Sequence, residues 1–228
     1  MSLRAPLQLY QQRGNVLTSA PAVEPVTASE LRDHLVVDAT TLPDGAANDL
    51  IEESRQSIED MTGLSFITQS WRLSIDHWPH AREDWWDGWR EAHINQLYGP
   101  KGSWASLELP RYPLQSVTSI TVYDEDSSST GVTPGNVFDI DTARLPGRLT
   151  LKVGQTWPVA LRANNAIEIV YVTGYGDAAS DVPAPIKRAI RQLASYMYTH
   201  RGDACKVGDA YHISGAAKTL GIYKVARI

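Results

Sequence analysis

The 228-residue sequence contains only one cysteine, Cys205. A single cysteine excludes a disulfide within the chain and a multi-cysteine zinc site built by one copy. No apolar run approaches the roughly 20 residues of a membrane-spanning helix, and residues 1–15 lack the continuous apolar segment of a signal peptide. We therefore expect synthesis inside the cell.

The sequence also has no GxSxG, HExxH, DxDxDG or P-loop stretch, the short motifs of common catalytic and cofactor sites. Gly174-Tyr175-Gly176 follows a predicted strand, but position 179 is Ala and no βαβ unit follows, so we interpret it as a turn rather than a dinucleotide site. His77, His80 and His93 do not have metal-ligand spacing. We expect no catalytic residue, no metal and no cofactor.

Charge is distributed unevenly along the chain, whose formal net charge is −5. Residues 183–228 hold eight Lys or Arg residues against Asp203 and Asp209, so this end carries +6 and the first 182 residues carry −11. A basic end can dock on an acidic partner. The alternative is that basic residues suit the end of a helix and a solvated tail.

Three amphipathic segments predict a small helical bundle. Thr27 and Glu30 form the capping-box pattern that begins a short helix ending near Val37. Further helices are predicted over residues 46–62 and 183–201, where apolar residues recur at steps of three and four. The outer face of the second helix is predicted to be acidic, and that of the third basic, from Glu52, Glu53, Glu59 and Asp60 and from Lys187, Arg188 and Arg191.

Between these helices the apolar residues alternate with a period of two, which predicts β-strands. Short strands at this spacing, separated by tight turns, favour a small antiparallel sheet or barrel. The predicted strands are 66–78, 106–109, 115–123, 136–140, 148–153 and 166–172, with a polar turn at 124–131.

The predicted fold class is therefore α+β, with two N-terminal helices and one long C-terminal helix around an inserted β subdomain. The helical core spans residues 26–64 and 182–201, and the insertion spans 65–181. Residues 1–25 are predicted to form an extended arm and 202–228 an extended tail. Residues 220–227 alternate in part, so they could add a strand to a partner's sheet; the alternative is a frayed terminus.

Residues 79–104 fit neither periodicity and predict a long loop or hairpin that contains Trp85, Trp86 and Trp89. Aromatic side chains are enriched at interface hot spots, so we favour a contact with another protein over a platform for sugars or bases. Interspersed acidic residues disfavour nucleic acid. An equally good alternative is that these tryptophans fill the core of the sheet.

After the two short helices the sequence continues with LELPRYPLQSVTSITVYD (107–124), NVFDID (136–141), RLTL (148–151), Trp157-Pro158, AIEIVYVTGYG (166–176), Val182-Pro183 and the helix ending YMYTHR. This order of elements resembles that of phage head–tail connector proteins, the adaptors that include small helical forms and larger relatives with a β insertion. The run at 107–124 is the most specific part of the resemblance, which covers roughly residues 26–201, while the Trp-rich block 79–104 and the tail 202–228 depart from the usual pattern.

This resemblance implies a protein without enzyme activity that forms a ring, usually twelvefold, in the neck of a tailed phage or a gene-transfer particle. The implied partners are the portal protein and the stopper or tail-completion protein, and DNA passes through the lumen without sequence-specific binding. No membrane is involved, and the protein would be made in the cytoplasm of the bacterial host.

Several residue roles follow as hypotheses from this resemblance. A closed ring needs two different faces on each subunit, which we place on Glu52, Glu53 and Glu59 and on Lys187, Arg188 and Arg191. We expect a channel that is not strongly basic. Truncation at Gly202 is expected to leave a folded protein that no longer binds portal. Portal docking is predicted for Leu220, Ile222, Tyr223, Val225 and Arg227, and a partner contact for Trp85, Trp86 and Trp89.

Two other functions compete with the connector on sequence grounds. A carbohydrate-binding module of a phage tail or baseplate would use the Trp-rich loop, and sugars would quench its tryptophan fluorescence. A hydrolase with an unrecognised site would lose activity when His212 or His77 is replaced. The connector hypothesis predicts neither signal.

Overall fold

The computed structural model describes residues 14–78, 106–202 and 207–223. The chain divides into two compact units, and the α+β class predicted from the sequence is confirmed. The sheet unit contains the described residues 14–19, 70–78 and 106–173, and the helical unit contains 20–69, 174–202 and 207–223.

Six α-helices occur among the described residues, and sequence signals explain the ends of the first two. They are α1 (Ala28–Leu35), α2 (Asp44–Thr62), α3 (Pro134–Val137), α4 (Ala184–Thr199), α5 (Val207–Ile213) and α6 (Ala216–Thr219). The capping box forms as predicted, because Thr27 Oγ1 accepts from the Glu30 N–H at 3.2 Å and Glu30 Oε2 accepts from the Thr27 N–H at 2.8 Å. Helix α2 ends at Gly63, whose φ of 80° is left-handed.

Helices α1, α2 and α4 pack on one another around the apolar stripes that the sequence predicts. Leu31 of α1 is fully buried, and the stripes of α2 and α4 contribute further buried residues to this core. The buried apolar residues of these two helices are Ala47, Ile51, Ile58, Ile186, Ala189, Ile190, Leu193 and Ala194. None of the helices in the described part of the chain is long and apolar enough to span a bilayer.

Eight strands form two sheets in the sheet unit, with residue 69 at the unit boundary. They are β1 (Asn15–Ser19), β2 (Gln69–Ile75), β3 (Ser106–Glu108), β4 (Leu114–Tyr123), β5 (Ser129–Val132), β6 (Phe138–Asp141), β7 (Arg148–Leu151) and β8 (Ile167–Thr173). The five-stranded sheet has the order β1-β2-β8-β4-β5, and the three-stranded sheet has the order β3-β7-β6. Strands β4 and β5, β4 and β8, and β6 and β7 pair antiparallel.

The alternation of β8 places its apolar residues in the core of the sheet unit. Ile167, Ile169 and Tyr171 are fully buried, as period-two patterning predicts. The Tyr171 hydroxyl donates to Asn15 Oδ1 at 2.9 Å. Burial raises the pKa of Tyr171 far above its ordinary value, so this hydroxyl stays protonated.

The structure differs from the sequence prediction in the sheet unit at three places. The predicted polar turn 124–131 includes the start of β5, and the predicted strand 136–140 begins with the last turn of α3. The predicted arm 1–25 includes β1, which pairs antiparallel with β2. Strands β1 and β5 have only five and four residues, so cross-strand pairing, rather than local propensity, decides their conformation.

The structure also differs from the sequence prediction in the C-terminal tail. Residues 207–219 form α5 and α6, and Gly221–Tyr223 is a 3-10 turn rather than part of a strand. Helices this short are marginal by propensity alone. Here Ala210, Tyr211, Ala216 and Leu220 are buried in the helical unit, and α6 packs on α4.

Candidate interaction surfaces

Helix α2 presents an exposed acidic face. Glu52 and Glu53 are exposed, as predicted, and Asp49 and Asp60 are exposed on the same helix. Glu52 accepts from Gln56 Nε2 at 3.0 Å. Because exposed carboxylates need no partner within the chain, this face can meet a cationic surface at little desolvation cost.

The prediction that Glu59 belongs to this outer face is wrong, because Glu59 is only 4% exposed. Its Oε1 accepts from the Phe66 N–H and from Gln69 Nε2, both at 2.8 Å. Its Oε2 pairs with Arg55 Nη1 at 2.9 Å. Glu59 is therefore a structural residue that joins α2 to the segment that follows it.

Arg55 completes this buried network. Its Nε donates to Glu24 Oε2 at 2.8 Å, so the guanidinium bridges two carboxylates. Burial alone lowers the pKa of Arg55, but the hydrogen bond to Glu24 and the charge of Glu59 raise it above its ordinary value. Arg55 thus stays charged and ties the segment before α1 to α2.

The three basic residues predicted on α4 have different surroundings. Arg188 is exposed, whereas Lys187 and Arg191 are half-buried. The pKa of Glu30 lies below its usual value, first because the Thr27 N–H bonds its carboxylate and further because Lys187 and Arg191 are nearby. Lys187 and Arg191 therefore interact with α1 of their own chain, which leaves Arg188 as the most accessible cation of the three.

The residues predicted to dock on portal are also in different surroundings. Leu220 is only 1% exposed and belongs to the core of the helical unit, so its side chain is not available to a partner. The hydroxyl of Thr219, beside it, donates to Gln192 Oε1 of α4 at 2.9 Å. Ile222 is 81% exposed and Tyr223 is half-buried. Val225 and Arg227 lie outside the described residues.

Trp85, Trp86 and Trp89, with the whole predicted loop 79–104, lie outside the described residues. Three tryptophans that are described, Trp71, Trp78 and Trp157, belong to the sheet unit's core or pack against it. Trp78 stacks on Trp157 with ring centroids 4.8 Å apart, and its Nε1 donates to the Pro158 carbonyl at 2.7 Å. These aromatic side chains fill part of the sheet core.

The candidate catalytic residues do not form a recognisable catalytic arrangement. Ser214 Oγ donates to the Tyr211 carbonyl at 3.2 Å rather than to His212, whose ring meets that of Tyr211 edge-on. Across residues 14–78, 106–202 and 207–223, no three His, Cys, Asp or Glu side chains are grouped to hold a metal ion. His77 is exposed, and His80 and His93 lie outside the described residues.

Gly174 and Gly176 have a structural role, because they lie where their backbone meets that of Ile67 and Thr68. Gly174 has a φ of 135°, and a Cβ on it would lie 2.7 Å from the backbone of Ile67. The Gly176 carbonyl accepts from the Thr68 N–H at 2.9 Å. Glycine is needed at position 174 because two backbone segments approach closely there, and Gly176 forms a parallel β-bridge with Ile67.

Comparison with known proteins shows what fold the chain shares. No known family model matches it, and no curated protein matches it. A chain in the neck of an empty GTA particle, computed with C6 symmetry, is 21% identical with a TM-score of 0.62. That match covers 87% of this chain and 94% of the other.

Two further solved structures each match over 87% of this chain. A chain in the virion of a native gene transfer agent (GTA) particle is 19% identical, with a TM-score of 0.64 and 93% of its length covered. A chain in the neck of a native GTA particle, computed with C12 symmetry, is 22% identical, with a TM-score of 0.57 and 94% covered. At these identities the likeness establishes a shared fold, which extends over nearly the whole length of each chain.

Proposed function

We propose that this protein is a structural head–tail connector, an adaptor that forms a ring in the neck of a tailed phage or a gene-transfer particle. The observation that carries the proposal is the fold, which over 87% of this chain is similar to chains of GTA neck and virion structures. The resemblance of residues 26–201 to connector proteins supports the same function independently. The role is mechanical and requires no catalysis.

In this proposal the ring lies between the portal protein and the stopper or tail-completion protein, and DNA passes through its lumen. The neck structures that share the fold were computed with C6 and C12 symmetry, which supports a ring of twelve copies. The protein is made in the host cytoplasm and acts in the virion neck.

The ring interface that we propose is electrostatic and joins two different faces. Glu52 and Glu53 of one copy meet Arg188 of the next. Lys187 and Arg191 of that next copy attract the two carboxylates more weakly than Arg188 does. Glu59 has no part in it, because its carboxylate is used inside the chain. Exposed ion pairs contribute only about 0–1 kcal/mol each, so these charges select register and partner more than they supply affinity.

Two further roles complete the proposal. The channel is not strongly basic, because tight phosphate neutralisation would hold the DNA in place; a channel lined by Lys187, Arg188 and Arg191 would contradict this. Portal docking uses Ile222, Tyr223, Val225 and Arg227, beyond the buried Leu220. The Trp85, Trp86 and Trp89 segment contacts a neighbouring neck component.

Electron microscopy of the protein mixed with its portal tests the proposal. We expect rings stacked on portal, and a charge reversal at Glu53 (Glu53→Lys) should reduce them. The paired reversal Arg188→Glu should restore rings in the double variant, while the matched change Asp139→Lys, at an exposed position of β6, should have no effect. A wild-type protein that stays monomeric and ignores portal would refute the function. Rings that tolerate Glu53→Lys would refute only this interface.

A further inference from the structure

The five-stranded sheet has two outer strands, β1 at one edge and β5 at the other. Among the described residues, β1 pairs only with β2 and β5 pairs only with β4. Every second backbone N–H and C=O of an outer strand points away from its sheet. These groups can bind a strand of another chain.

Both outer strands are short and the pairing of β1 is irregular, but neither strand carries a side chain that blocks its edge. Native edges are commonly blocked by a charged side chain or a proline, yet the sequences NVLTS of β1 and STGV of β5 contain neither. The pairing of β1 shifts between Leu17 and Ser19, so regular pairing is limited to Asn15–Leu17. Within that stretch Val16 is 51% exposed and Leu17 is 41% exposed.

The apolar layer of the sheet continues to both edges and stops there. Leu17 lies opposite Trp71, which is only 8% exposed, so Leu17 shares the core face of the sheet. At the other edge Val132 lies opposite the buried Ile120 and packs on the same core. One more strand on β1 would cover Leu17 and continue this layer.

Symmetry decides which strand fits. Pairing of β1 with β1 would give an isologous two-fold dimer, whereas pairing of β1 with β5 gives a heterologous contact that repeats head to tail and can close into a ring. The neck structures that share this fold have cyclic C6 and C12 symmetry. In a ring of this kind every copy supplies β1 to one neighbour and β5 to the other, so each contact is complete without a further partner.

We propose that the β1 edge of one copy pairs with the β5 edge of the next copy, so that the five-stranded sheet continues from subunit to subunit. This inference rests on the proposed ring and adds a second contact between neighbouring copies to the one between the charged faces of α2 and α4. The occupant of both edges is a second copy of this chain, and the contact consists of main-chain hydrogen bonds with Leu17 covered.

The first test is Val16→Glu, imaged with portal. Val16 lies opposite the exposed Arg72, so a glutamate there gains a partner within its own chain and the fold is retained. A charged side chain in an edge strand is one of the devices that prevent a further strand from pairing there, so this glutamate should block the contact with β5 of the next copy. Val153→Glu is the matched control, because Val153 is 95% exposed in a loop of the same unit.

The expected result is that Val16→Glu melts like the wild type but gives no rings with portal, while Val153→Glu gives rings. Rings formed by Val16→Glu overturn this inference and leave the connector function standing. A wild type without rings overturns both.

Cysteine trapping gives a second readout that does not depend on losing assembly. In a Cys205→Ser background, Leu17→Cys is combined with Thr130→Cys or Val132→Cys, which lie on the core face of β5. Oxidation of the assembled particle should produce a ladder of covalent multimers in at least one of the two combinations, and no products from any single-cysteine variant. Dimers from Leu17→Cys alone would mean that β1 pairs with β1 and would overturn the proposal, as would the absence of ladders from both combinations.

Discussion

Replacing Glu59 by glutamine should destabilise the helical unit strongly, although the two side chains have nearly the same size. The carboxylate accepts hydrogen bonds from three donors, the Phe66 N–H, Gln69 Nε2 and Arg55 Nη1. A glutamine amide has one accepting oxygen, and its NH₂ group would point at a donor. Glu59→Gln therefore leaves at least one buried donor unpaired and removes one of the two charges that balance Arg55.

The expected cost follows from the burial of this pair, since both Arg55 and Glu59 are only 4% exposed. Removing one partner of a buried ion pair costs about 3–5 kcal/mol. Glu24 still pairs with Arg55 at 2.8 Å, so we expect the lower end, about 3 kcal/mol. For a chain of this length that corresponds to a fall in melting temperature of about 6–12 °C.

Thermal unfolding followed by circular dichroism at 222 nm measures this change. The control is Glu53→Gln, the same substitution at an exposed position of α2, which should stay within about 0.5 kcal/mol of the wild type. The double variant Arg55→Met/Glu59→Gln should recover part of the loss, because the buried Arg55 charge is removed while the glutamine oxygen still accepts from the Phe66 N–H and Gln69 Nε2. A melting temperature for Glu59→Gln that matches Glu53→Gln would refute this account of the network.

Three more predictions concern single positions. Val36 is 90% exposed and has a left-handed φ of 58°, a backbone conformation that is strained for valine but not for glycine. Val36→Gly should therefore stabilise the protein by about 1 kcal/mol in chemical denaturation, and a loss of stability would show that the backbone at Val36 is not strained. Because burial raises the pKa of Tyr171 in the folded state, the unfolded state loses this proton first, and stability should fall as pH rises above about 10. Tyr171→Phe should show a shallower fall in urea midpoint between pH 8 and pH 11, and an unchanged slope would count against it. Truncation at Gly202, expected from the sequence to leave a folded protein, should instead lower the melting temperature because it removes the buried Leu220; truncation after Tyr223 should preserve the melting temperature and weaken binding to portal.

Local patterns predicted the elements that form by themselves or bury a continuous stripe. The capping box at Thr27 and Glu30 and the stop at Gly63 need only their own neighbours, and they occur where predicted. The apolar stripe of α4 and the alternation of β8 repeat long enough to define both the element and its buried face. These features follow from local patterns and periodicity, which can be recognised in a sequence without knowledge of its tertiary structure.

Tertiary structure alone decided how side chains of the same type are used. Glu52, Glu53 and Glu59 look alike in the sequence, but the segment after α2 folds back over Glu59 and buries it against Arg55. Strand β1 and helices α5 and α6 are too short to be stable alone, and they exist because β2 and α4 give them partners. The sequence determined the elements and the fold class because those depend on neighbouring residues, whereas burial, strand order and free edges depend on contacts between residues far apart in the chain.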